Sequence, residues 1–135
     1  MQKEFKPSAG AKGWQLSNMP VLSMAAHKAS LDIFGKAGMD ALCRKSKQLT
    51  GYLQFVIDAA TQKLKIITPR DDAQRGCQLS ILAQTKGREI YDKLSAQGVV
   101  ADWREPDVIR VAPVPLYNTF EDVYRFGEIL KTLKH

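Results

Sequence analysis

The segment IRVAPVPLYNTFEDVYRF, Ile109 to Phe126, carries one arginine inside an apolar run. Arg110 stands among Val108, Ile109, Val111 and Ala112, and Pro113, Pro115 and Tyr117 follow it. A guanidinium stays charged at any physiological pH. Its planar fork of donors fits a carboxylate two bonds at a time, which the point charge of lysine does not reproduce. Two chemistries suit that fork. Arg110 is either the partner of a carboxylate within the chain, which spacing alone favours, or the receptor of an anionic ligand. An unpaired buried guanidinium would be costly, so one of the two is required. The prolines stiffen the segment by fixing their own φ and restricting the residues before them. Stiffness does not choose between the readings.

Ser17 and Asn18 lie at the junction of a linker and a helix start. Residue type favours capping there, but the same geometry lets unpaired N–H groups attract a phosphate. Other candidates are few. The chain has two cysteines, Cys43 and Cys77, and two histidines, His27 and His135, none at ligand spacing. A histidine-based metal site or a Ser-His-Asp triad therefore lacks material, and no metal is expected. Cys43 has no general base near it in sequence and reads as an ordinary thiol. His27 reads as a satisfied or surface histidine, Arg75 as a turn charge, and Gly76 as a backbone angle that other residues resist. The adjacent carboxylates Asp71–Asp72 and Glu121–Asp122 point apart and make poor acid/base partners.

The elements that must hold these residues fit one domain of 135 residues, 44% hydrophobic and 25% charged, an ordinary globular balance. No apolar run reaches the roughly 18–20 residues that span a bilayer, and MQKEFKPSAGAKGW lacks the apolar core of a secretory signal. Two isolated cysteines fit reduced thiols, so a cytoplasmic protein without membrane contact is expected. The net charge of +6 invites a nucleic-acid reading. Its basic residues are dispersed, however, and the densest group, CRKSKQ (Cys43 to Gln48), reads as a solvated helix face. The aromatic residues are too scattered for a stacking platform. No nucleic-acid partner is expected.

Met1 to Pro20 lacks a usable period and reads as an extended arm or linker; residues 21–135 form the domain. A helix begins near Val21, with Pro20 suited to its first turn, and Gly35 and Gly38 mark a break. A second helix runs from Met39 to Ala60 with Leu42, Leu49, Leu53, Val56 and Ala60 on one stripe. The period then changes to two. Leu64–Thr68 and Cys77–Ala83 read as strands, the latter with Cys77, Leu79 and Ile81 inward. Residues 87–98 form a short helix with Ile90, Tyr91 and Leu94 inward, stopped by Gly98. VVADW and VIRVAPV are two further strands joined by a turn at Pro106. A last helix, Phe120 to Lys134, is capped by Asn118 or Thr119, with Asn118 and Glu121 resembling a capping box. The order αα-ββ-α-ββ-α predicts an α+β fold with helices packed on a mainly antiparallel sheet of about four strands.

Longer strings add a family. GWQLSNMPVL (Gly13 to Leu22), KSKQLTGYL (Lys45 to Leu53), ITPRDDAQRGCQLS (Ile67 to Ser80), GVVADWREPD (Gly98 to Asp107) and the Arg110 segment together resemble kynureninase, in order and with natural spacing. The resemblance implies a pyridoxal-phosphate enzyme of the aspartate-aminotransferase fold. Such an enzyme hydrolyses L-kynurenine, or 3-hydroxykynurenine, to anthranilate or its 3-hydroxy form and L-alanine in tryptophan catabolism, as a homodimer. It covers the C-terminal part, chiefly the small domain. Arg110 then matches the arginine that grips the substrate's α-carboxylate. Asn18 matches a residue lining the cofactor site near its phosphate, with Ser17 beside it. The imine lysine, the partner of the pyridine nitrogen and most of the phosphate cup belong to the large domain and have no match here. These 135 residues alone are therefore expected to be inactive and not to bind the cofactor, and the start at Met1 reads as a truncated or separately expressed domain. The missing large domain and a second subunit are the expected partners. A non-catalytic amino-acid-binding module derived from this domain is the alternative.

Overall fold

A computed structural model describes residues 4–133. Met1 to Lys3, Lys134 and His135, which take in the tip of the expected arm, the end of the last helix and the second histidine, lie outside the described residues. The chain divides into two compact units at the Ala37–Gly38 junction.

The first unit holds a 3-10 turn, Gly10–Trp14, and helix α1, Val21–Ala37. Pro20 precedes the helix, and its carbonyl accepts from the Met24 amide at 2.9 Å. None of α1's residues is buried. Its helical period is clear in sequence, but the apolar side chains Val21, Leu22, Leu31 and Ile33 all face solvent. Gly35 lies inside α1. The break falls at Gly38, whose φ of 79° most residues avoid.

The second unit opens with α2, Met39–Ala60, where the expected stripe, Leu42, Leu49, Leu53, Val56 and Ala60, is buried. The remaining elements are β1 (Leu64–Ile66), β2 (Leu79–Ala83), α3 (Gly87–Ala96), β3 (Asp102–Arg104), β4 (Val108–Val111) and α4 (Phe120–Thr132). The strands form one antiparallel sheet in the order β1-β2-β4-β3. The expected α+β order and sheet hold.

Strand ends are shorter than the alternation suggests. β1 stops at Ile66 because the ladder passes to a side chain: Thr68 Oγ1 accepts from the Ser80 amide at 2.8 Å, just before Pro69, which has no N–H. Cys77 and Gln78 precede β2 rather than belong to it. β4 ends at Val111, ahead of the two prolines. Gly76 has no positive φ, whereas Gly98, the expected stop after α3, does, at 82°. Pro113 and Pro115 lead into a turn closed by Val114, whose carbonyl accepts from the amides of Tyr117 and Asn118. Asn118 is spent on this turn, its Oδ1 accepting from the Val114 amide at 2.9 Å. Of the two expected caps of α4 it is therefore Thr119 that serves, and the box forms between Thr119 and Asp122 rather than Asn118 and Glu121.

Side chains from α2, α3 and α4 meet one face of the sheet in a single core. Gly127 brings α4 close to α2: a Cβ there would overlap Val56 Cγ1. Register puts Leu79, Ile81, Ile109 and Val111 on this covered face, each buried. Ser80, Arg110 and Asp102 fall on the other face, which none of the three helices covers.

Candidate functional site

The alternation that buries Ile109 and Val111 sends Arg110 outward from β4. Ser80 of β2 flanks it on one side and Asp102 of β3 on the other, both as direct partners in the ladder. The Arg110 side chain keeps 31% of its surface exposed, so it is accessible without being loose. Its Nε donates to Asp102 Oδ2 at 2.6 Å, and its Nη2 donates to the same oxygen. Arg104, two positions along β3, also donates from Nε to that oxygen at 3.0 Å. The bonds from Arg110, with the charges of both arginines, hold the Asp102 carboxyl below the usual carboxylate range. The internal carboxylate that spacing favoured is therefore present. It leaves two guanidiniums against one carboxylate, and the cluster retains one positive charge.

The loop after β4 is held from below. Lys45 of α2 donates from Nζ to the carbonyls of Pro115 at 2.7 Å and Asn118 at 3.0 Å. The group Cys43 to Gln48 is therefore not simply a solvated face, since its lysine at position 45 is half-buried and ties α2 to the loop. The loop displays Tyr117, which is 85% exposed. Beside it an open groove runs between Gly98–Val100 and Pro113–Asn118, floored by Leu53, Val111 and Phe126. Arg110 does not line that groove.

Ser17 and Asn18 belong to the first unit and are exposed. The Ser17 carbonyl accepts from Gln15 Nε2 at 2.8 Å. Neither side chain caps α1 among the described residues, so both keep their polar groups available. His27 and Cys43 are exposed on their helices. Arg75 is half-buried, with Nη1 near the Gly76 carbonyl at 3.4 Å and Nε without a partner among the described residues.

Two contributors escaped the sequence reading. Asp102 was legible in principle. A hairpin centred on Pro106 pairs positions 102 and 110, so the carboxylate opposite the arginine follows from the turn once its centre is fixed. Lys45 was not legible, because its acceptors are backbone carbonyls some seventy positions away.

An aldehyde cofactor held as an imine needs a lysine amine in an enclosed site. Among the described residues every lysine is exposed except Lys45, which is engaged with two carbonyls. The residues present do not by themselves fit such a group.

A family model described as the kynureninase C-terminal domain matches residues 42–130. Kynureninase from Xanthomonas campestris pv. campestris (strain B100) is 54% identical over 136 residues, covering 98% of this chain and 32% of that protein. Kynureninase from Flavobacterium psychrophilum (strain ATCC 49511 / DSM 21280 / CIP 103535 / JIP02/86) is 48% identical over 135 residues, covering 97% and 32%. The chain thus spans about a third of the length of these curated relatives. A solved structure of a NifS-like protein superposes with a TM-score of 0.72 at 17% identity, covering 95% of this chain and 38% of that one. At that identity the likeness shows the fold.

Proposed function

Because the chain belongs to the kynureninase C-terminal domain family, we propose that it supplies the substrate-carboxylate arginine to a pyridoxal-phosphate-dependent hydrolase. That enzyme cleaves L-kynurenine, or its 3-hydroxy form, to L-alanine and anthranilate or 3-hydroxyanthranilate. The observation that carries the reading is Arg110: an accessible, oriented guanidinium on the uncovered sheet face, in a cluster with one unneutralised positive charge. A substrate carboxylate supplies the missing negative charge. Binding it fixes the amino-acid end of the substrate, and positioning of this kind lowers the barrier only when the reacting centre is held nearby.

The pyridoxal phosphate, which supplies an electron sink when bound, is assigned to the part of the enzyme that corresponds to the other two-thirds of the relatives. Asn18 and Ser17 are assigned to its surroundings, near the phosphate, as polar side chains not spent on capping. The 135 residues alone are inactive in this reading, because none of the lysines among the described residues is set up for the imine. The exposed Trp14, Leu16 and Leu22 are covered in the homodimeric enzyme by the large domain or the second subunit. Light scattering on the isolated chain should show self-association that grows with concentration; a monomer at every concentration would count against this.

The test of the arginine is Arg110→Ala in the cofactor-loaded enzyme. We expect kcat/KM for L-kynurenine to fall by roughly 100-fold, with most of the loss in KM. A value within about twofold of the parent would remove Arg110 from the substrate site.

A further inference from the structure

A guanidinium has two edges that can take a carboxylate. The side edge presents Nε–H with one Nη2 hydrogen, and the end edge presents Nη1 with the other Nη2 hydrogen. Asp102 occupies the side edge of Arg110, receiving both Nε and Nη2 on Oδ2. All the hydrogen bonds that Arg110's side chain makes to described residues go to this one oxygen. The end edge is left for something else.

Three features make Asp102 more than an incidental surface partner. It is the direct ladder partner of Arg110, so its distance is set by the sheet and not by a mobile loop. Its oxygen is shared with Arg104, so pairing does not neutralise the site. The flexible part of Arg110 is thereby fixed before a ligand arrives, and less freedom remains to be lost on binding.

We propose that Asp102 is the positioning residue of the carboxylate site. It pins the side edge of Arg110 and presents the end edge to the substrate's α-carboxylate, while Arg104 offsets its charge. This rests on the reading of Arg110 as the substrate-carboxylate arginine. It adds a direction of approach: the ligand meets the guanidinium end-on, and Asp102 stays in place throughout.

The experiment compares the parent, Asp102→Asn and Arg110→Ala in the cofactor-loaded enzyme. For each, KM and kcat for L-kynurenine are measured, together with inhibition constants for a competitive amino acid and for its carboxamide. The ratio of the two inhibition constants reports carboxylate recognition and does not depend on how much of a preparation is folded. Asp102→Asn is expected to raise KM roughly tenfold, to leave kcat within about threefold, and to weaken the acid but not the amide. If Arg110→Ala abolishes the preference for the acid while Asp102→Asn keeps it, the positioning role is wrong and the role of Arg110 stands. If Asp102→Asn strengthens binding of the acid, Asp102 competes with the ligand and the proposal is overturned. If neither variant moves the ratio, Arg110 is not the carboxylate receptor and both readings fall.

Discussion

The two faces of the sheet share four strands and one backbone, yet they differ in what covers them and in where the charge sits. Leu79, Ile81, Ile109 and Val111 lie buried beneath helices, while Ser80, Arg110 and Asp102 occupy alternate positions on the uncovered side. Because the side-chain period is two, a slip of one residue would exchange the faces entire. Register is therefore enforced by the cost of exposing the covered face. The charged cluster takes its position from that constraint and contributes little to it. Packing residues and the charged cluster thus alternate along the same strands, and substitution should separate them.

The largest expected effect tests that separation. Leu79→Ala removes a fully buried side chain and should lower unfolding free energy by about 2–5 kcal/mol in urea titrations. Arg110→Ala, on the neighbouring strand but the other face, should stay within about 0.5 kcal/mol of the parent, as for other partly exposed ion pairs. Equal losses at the two positions would break the comparison.

A smaller effect probes how tightly the covering helices fit. Gly127→Ala forces a methyl against Val56 and should cost about 1–3 kcal/mol. Combining it with Val56→Ala frees the space, so the double variant should lose less than the sum of the singles. Strict additivity would mean that the two helices do not constrain each other there.

The smallest effect is set by acid and belongs to the outer surface. The carboxyls of Asp58, Asp102 and Asp122 are all held below their ordinary value of 3.8. The main causes are the Arg70 fork for Asp58, the hydrogen bonds from Arg110 for Asp102, and the Thr119 amide for Asp122. A folded pKa below the unfolded one gives stability that is complete above the unfolded value and is lost as pH falls through the folded one. Urea midpoints should therefore be level near neutrality and decline below about pH 4, less steeply in Asp102→Asn. An unchanged slope in that variant would mean that the Arg110–Asp102 pair is not maintained in solution.

Much of this was legible in the chain. The stripe on α2 set its limits and its buried side, and the alternation in β2 assigned Leu79 and Ile81 inward. The inward side of Leu79 and Ile81 follows from a local period that survives folding; which side of β4 is covered came only from the structure. The misses share a cause. Thr119, one of the two expected caps of α4, holds, but the expected box of Asn118 and Glu121 gives way to Thr119 and Asp122 because Asn118 is consumed by the Val114 turn, and β1 shortened because Thr68 replaced a backbone partner. In each, a side chain had two local uses, and the neighbouring turn or strand decided between them.

Hydrophobic period and permanent charge, which are properties of residues in place, already set the order of the elements, the inward sides of α2 and β2, and an arginine in need of an anionic partner. Tertiary structure alone decided which edge of that arginine is occupied, that Arg104 shares the same oxygen, and that Lys45 ties the loop after β4 to α2. The first two depend on donor directions across one hairpin and the third on segments some seventy positions apart, and the direction of a donor is fixed only when both backbones are set.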